Sequence, residues 1–132
     1  MPLVSRWIAW TLLSASLSPA SAASSFEAEA ICRTAIASMT DRDPKLMQVT
    51  QTVGDILFLT YVRPIDNFIW TYRCRIEGNR VVWATDPGRW RQDPNDDKIF
   101  SEIVASGSQL RIIESHGDGS SKKRLFDRDA IR

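Results

Sequence analysis

FIWTYRCRIEGNRVVWAT, residues 68–85, is the stretch whose reading decides the fold. Taking every second residue from Phe68 gives Phe68, Trp70, Tyr72, Cys74 and Ile76. The residues between are Ile69, Thr71, Arg73, Arg75 and Glu77. Successive side chains of a strand point to opposite faces, so the first set predicts a buried face and the second a mostly solvated one. Gly78-Asn79 follows, a two-residue turn signal, because both residue types tolerate positive φ. That turn predicts a register in which Glu77 faces Arg80, Ile76 faces Val81, Cys74 faces Trp83 and Tyr72 faces Thr85. An ion pair between Glu77 and Arg80 would add a few tenths of a kcal/mol, up to about 1. A slip of one residue would turn Arg73 and Arg75 into the core, so both faces demand the same register.

The other cysteine lies upstream. Ser24-Ser25-Phe26-Glu27 has the S-x-x-E form of a capping box, which predicts a helix from there to about Met39. Ala28, Cys32, Ala35, Ile36 and Met39 recur at three- and four-residue spacing and form one apolar stripe, with Glu29, Arg33 and Thr40 off it. Cys32 therefore faces whatever the helix packs on, and Cys74 faces the core side of the hairpin. Two cysteines in an exported chain predict one disulfide, Cys32–Cys74, pinning the helix across the sheet.

Export is read from the N-terminus. Residues 1–25 carry one charge, Arg6, then an apolar run from Trp7 to Leu17 and the small-residue site Ala20-Ser21-Ala22. This is the pattern of a signal peptide cleaved after about Ala22. The run is well short of the roughly 20 residues of a membrane-spanning helix, so no stable membrane insertion is expected after cleavage. The prediction is residues 1–22 as signal peptide and 23–132 as a single globular domain, periplasmic or secreted. Removing Arg6 leaves sixteen basic residues against sixteen acidic. A neutral domain with no Lys/Arg block argues against nucleic acid as a partner. A monomer is expected.

The remaining chain of this 132-residue protein, 25% charged and 43% hydrophobic, reads as short strands between tight turns. Leu46–Thr52 is a weak strand with Met47, Val49 and Gln51 on one side. Ile56–Arg63 is apolar on both sides, which predicts a central strand covered on both faces. The segment from Asp86 to Asp97, DPGRWRQDPNDD, has no period and is the longest irregular connection. Lys98–Ala105 alternates again, Gln109–Glu114 has Leu110 and Ile112 inward, and Ser121–Phe126 is a basic edge strand carrying Lys122, Lys123 and Arg124. Asp127 can cap a last helical turn ending at Arg132. The predicted class is α+β: an N-terminal helix packed on a curved antiparallel meander of about seven strands, a half-barrel or small barrel.

Candidate chemistry is sparse. His116 is the only histidine, in HGDGSS beside Asp118 and Ser120, but neighbours in one mobile turn cannot hold triad geometry, so it is read as an exposed turn residue. Asp93-Pro94-Asn95-Asp96-Asp97 opens like a calcium loop, yet Lys98 stands where the glycine belongs and Val104 where the glutamate belongs. No His/Cys cluster suggests zinc and no glycine-rich phosphate loop suggests a nucleotide, so no metal or cofactor is expected. The group that stands out is Arg73, Arg75, Arg89, Trp90 and Arg91. Arginine with tryptophan is frequent at binding hot spots, and forked guanidiniums suit carboxylate or phosphate. Structural duties are open to the same residues: Trp90 as a plug for the core, the arginines as partners of surface acids.

The triplet Tyr72-Arg73-Cys74 resembles the Tyr-x-Cys segment of periplasmic inhibitors of C-type lysozyme. Those are disulfide-bearing β-barrels that clamp an enzyme's cleft. The resemblance covers three residues and an architecture. A helix carrying the other cysteine departs from that pattern, and no site residue follows from it. The expected function is a small, non-enzymatic, exported binding domain for a protein or a small anionic ligand, contacting it through the outer hairpin face and the 86–97 loop. Two alternatives are an envelope assembly component and an acid-dependent hydrolase using Asp93, Asp96 or Asp97.

Overall fold

The structure is a computed structural model that describes residues 20–131, with side chains described from Glu27 onward. The expected leader therefore falls outside the described residues, except for the backbone at its last three positions. Among the described residues no helix is long and apolar enough to cross a membrane.

Helix α1 (Ala20–Met39) leads into a 3₁₀ turn at Pro44–Leu46, which Asp43 caps by accepting from the Lys45 N–H at 2.9 Å. Seven strands follow: β1 (Met47–Val53), β2 (Ile56–Val62), β3 (Ile69–Glu77), β4 (Arg80–Thr85), β5 (Lys98–Val104), β6 (Gln109–Ser115) and β7 (Ser121–Asp127). A one-turn helix α2 (Arg128–Ile131) closes the described chain. The strands form one antiparallel sheet in sequence order, with β1 and β7 at its two edges. The sheet is an open meander, not a closed barrel.

The hairpin has the register its alternation predicts: Glu77 opposite Arg80, Ile76 opposite Val81, Cys74 opposite Trp83 and Tyr72 opposite Thr85. Positive φ falls on Gly78 alone, at +63°, the glycine-first pattern of a type II′ turn, whose twist suits a hairpin. The expected Glu77–Arg80 ion pair does not form. Glu77 instead accepts from Arg75 Nε at 2.9 Å, two residues back on its own face.

Cys32 and Cys74 are bonded, with Cα atoms 6.0 Å apart and both residues fully buried. Closing a 42-residue separation removes chain entropy from the unfolded state equivalent to about 4 kcal/mol. Around the bond, Leu59, Tyr61, Tyr72, Val81, Ile99 and Ile112 from the sheet meet Ala35, Ile36 and Ala37 from the helix. Burying a large aliphatic side chain such as Ile36 or Leu59 contributes roughly 1.5–3 kcal/mol.

The helix is buried more fully than one stripe implies. Thr34, Ala35, Ile36, Ala37 and Ser38 are all at or below 1% exposure. A helix hidden on all sides lies inside a fold rather than upon it, and α1 touches every strand from β1 to β6. Its small residues allow this approach, and Thr34 satisfies its hydroxyl on the Ala30 carbonyl at 2.7 Å. The helix also begins earlier than the capping box predicts. Ala20–Ser25 contains no breaker, so helix propensity carries the chain through the cap sequence instead of stopping at it.

Three further expectations are revised. A bulge at Thr50 puts Gln51 opposite Phe58 on the outer face, away from Met47 and Val49. β2 lies second from the edge, with Leu57, Leu59 and Tyr61 buried and the other side half-covered. Two of the three basic residues of β7 turn inward: Lys122 and Arg124 both reach Asp41, just past the C-terminal end of α1, where cations offset the helix dipole. Asp127 accepts from Gln109 Nε2 at 3.1 Å across the β6–β7 pair.

Candidate functional site

β4 and β5 are joined through only two residue pairs, Arg80–Phe100 and Val81–Ile99. Beyond Val81 the strands part, and the 86–97 loop returns along the freed edge of β4. There the Arg91 N–H donates to the Trp83 carbonyl at 2.8 Å, where a strand would otherwise pair. Gly88 makes the return possible: a Cβ there would collide with the Thr85 hydroxyl and come within 2.9 Å of its carbonyl oxygen.

On the outer face, Trp90 lies between two guanidiniums, with Arg73 Cζ 4.8 Å and Arg75 Cζ 4.3 Å from its ring centroids. Arg73 and Arg75 sit opposite Ala84 and Val82, which are fully buried although they point away from the main core. Trp90 itself is half-buried. Both arginines are committed within the protein. Arg73 donates to the Gly88 carbonyl and lies 3.7 Å from Asp86; Arg75 donates to Glu77 and Gln92. Arg89 is also committed, with both terminal nitrogens 2.8 Å from the two carboxylate oxygens of Asp96, plus a 3.3 Å contact to Asp93. These hydrogen bonds hold the Asp96 carboxyl at a pKa of about 2, well below its ordinary value. Two of the three acids of the calcium-like sequence, Asp93 and Asp96, therefore grip an arginine, and among the described residues no group of three or more metal-ligating side chains converges.

Arg91 goes the other way. Its guanidinium lies 5.6 Å over the ring of Trp83, on the inner face of β4. It there joins Met39, Thr40, Asp96, Asp97, Ile99, Glu114 and His116 around a cleft of about 420 Å³ at the parting of β4 and β5. Of the five residues expected to act together, Arg73, Arg75 and Trp90 form one stack, Arg89 is tied to Asp96, and Arg91 alone lines the cleft.

Sequence reading missed most of this cleft. His116 Nδ1 lies 3.1 Å from Asp97, and its expected neighbours are occupied with each other: the Ser120 N–H and hydroxyl both donate to Asp118. Those two bonds lower the Asp118 pKa. Nothing local could have paired His116 with a residue nineteen positions upstream. Glu114 did carry a signal. It continues the inward parity of Leu110 and Ile112, where a charged residue is out of place. It is 6% exposed, and its Oε1 is buried without a hydrogen-bond partner. Its cross-strand neighbour Lys122 reaches to Asp41 instead, at 3.6 Å.

Chemically the cleft is lined by a carboxylate with one oxygen buried and orphaned, a guanidinium on an indole face, and an Asp–His pair half open to solvent. Thr40, its only hydroxyl, donates back to the Ile36 carbonyl at 2.7 Å. A separate exposed feature is the β2–β3 tip, where Val62, Ile65, Phe68 and Ile69 are each about half exposed or more. No family model matches the chain, and no curated protein or solved structure matches it either.

Proposed function

We propose that this protein is a small exported binding domain, stapled by its disulfide, and that the cleft between β4 and β5 takes the ligand. One observation carries this reading: Glu114 lines an open cleft while 6% exposed, with its Oε1 buried and unpartnered. A buried polar atom without a partner costs about 1–3 kcal/mol, more when charged, so an unpartnered carboxylate beside a cleft is a candidate binding group. The Arg73–Trp90–Arg75 stack and the Arg89–Asp96 clasp serve the site by holding the loop that delivers Arg91. Export rests on the leader sequence, with which a buried disulfide is compatible.

A binding role fits the chemistry better than hydrolysis through the loop acids. Asp96 stays ionised at any ordinary pH, so it has no proton to give as a general acid. An envelope assembly role is favoured by a different observation, the exposed apolar tip of the β2–β3 turn.

The test is an amide and indole NMR titration of the oxidised protein with a panel of small solutes: acetate, phosphate, putrescine, free amino acids and short peptides. Shifts gathered on Trp83, Arg91, Ile99, Glu114 and His116 are expected for at least one member. A panel that leaves those resonances still, or moves only the β2–β3 tip, removes the proposal.

A further inference from the structure

We propose that the ligand of the β4–β5 cleft is a small zwitterion of the α-amino-acid type, its ammonium on Glu114 and its carboxylate on Arg91. This rests on the cleft being a binding site, and it names what binds.

Five ionisable side chains line the cleft: Arg91, Asp96, Asp97, Glu114 and His116. Asp96 is held by Arg89 and by the Asp93 N–H, and Asp97 is paired with His116. Thr40 is bonded into its own helix. Arg91 and Glu114 are left without a hydrogen-bonded side-chain partner, although the Arg91 charge also bears on Asp96. Glu114 Oε1 and Arg91 Nε are both buried without a hydrogen-bond partner. The two residues line one cleft with opposite charge, yet no ion pair joins them among the described residues. Lys122, beside Glu114 in the sheet, is engaged with Asp41.

A ligand with one charge would satisfy one of these groups and bury the other beside a like or neutral partner. Uncompensated buried charge is strongly unfavourable, so a singly charged ligand is selected against. A ligand with an ammonium and a carboxylate a few ångströms apart satisfies both. Arginine suits the carboxylate because its fork can donate twice, and its seat on Trp83 fixes the plane of the fork. Met39, Trp83 and Ile99 give an apolar wall for a side chain. The cleft volume lies within the range of about 300–1,000 Å³ usual for small-molecule sites.

The test uses the oxidised protein and four probes: L-leucine, L-phenylalanine, N-acetyl-L-leucine and L-leucinamide. N-acetylation removes the ammonium and leaves the carboxylate, as at a peptide C-terminus. The amide keeps the ammonium and removes the carboxylate, as at a peptide N-terminus. Either free amino acid should shift the Trp83 indole and the Ile99 and Glu114 amides, with N-acetyl-L-leucine and L-leucinamide each binding at least tenfold more weakly than L-leucine. Glu114→Gln should weaken the amino acids at least tenfold and leave N-acetyl-L-leucine little changed. Arg91→Gln should do the converse, sparing L-leucinamide. Retained amide dispersion shows that each variant is folded. The proposal is overturned if both derivatives bind as well as L-leucine, or if neither amino acid moves the cleft. Should acetate, phosphate or putrescine move the cleft where the amino acids do not, the zwitterion is wrong and the binding site stands.

Discussion

Replacing Glu114 by methionine should make this protein more stable, against the usual direction of core substitutions. The side chain is 94% buried by residue exposure, its Oε1 has no hydrogen-bond partner, and its surroundings include Met39, Trp83 and Ile99. Methionine has similar length and no polar oxygen to strand. The relieved penalty is that of one unsatisfied buried polar atom, about 1–3 kcal/mol. Against it stands whatever solvation the second oxygen draws from the cleft, which places the expected net gain near the lower half, about 1–2 kcal/mol. For a domain of this size, 1 kcal/mol moves Tm by several degrees, so the shift should be roughly 4–12 °C upward. Urea unfolding followed by tryptophan fluorescence reads the free energy, and calorimetry reads Tm. Most point substitutions destabilise by about 1 kcal/mol. A methionine variant that loses stability in that ordinary way would show that Glu114 is satisfied in the folded protein, and the case for a ligand-seeking carboxylate would fall with it.

Trp90→Ala removes two guanidinium–ring contacts, each about 0.5–1 kcal/mol at a half-exposed site, together with the half-buried indole itself. A loss of about 2–3 kcal/mol with an intact hairpin is expected by urea unfolding; a change under about 0.5 kcal/mol would mean the stack holds nothing. Cys32→Ala with Cys74→Ala should cost about 4 kcal/mol in the same assay, and an unchanged midpoint would contradict the chain-entropy reading. The Arg89 hydrogen bonds depress Asp96 in the folded state only, so their contribution is complete above the ordinary carboxylate range and is lost as pH falls from about 4 towards about 2. Carbon-13 NMR of the Asp96 carboxyl should titrate at about 2, and Arg89→Gln should raise it, with the Asp93 N–H still holding it down in part.

How far the sequence could be read depends on how local each feature is. The hairpin was legible to the residue, because alternation and a two-residue turn leave one register that keeps Arg73 and Arg75 out of the core. The disulfide was legible because helix period and strand parity each point their cysteine inward. Whether the sheet closes was not, since alternation says nothing of whether the outer strands meet. The stripe on α1 underestimated its burial, because Thr34 and Ser38 look polar in sequence and are hidden by neighbours on several strands. The candidate residues were gathered by proximity in the chain, yet Trp90 and its neighbour Arg91 project to opposite faces, and that separated them. The cleft needed β4 and β5 to part, an event set by where the 86–97 loop returns. Only the inward parity of Glu114 announced it beforehand.

Every ladder in the sheet joins strands that are consecutive in the chain. The sheet can therefore assemble by short excursions, hairpin after hairpin, with little loop entropy to overcome at any step. Helix α1 is the exception. It comes first in the chain yet is enclosed by strands as distant as β6, so its burial waits for nearly the whole polypeptide. The Cys32–Cys74 bond bridges part of that distance, to β3. It ties the earliest element to the middle of the sheet, so that the helix no longer has to find its cradle from afar.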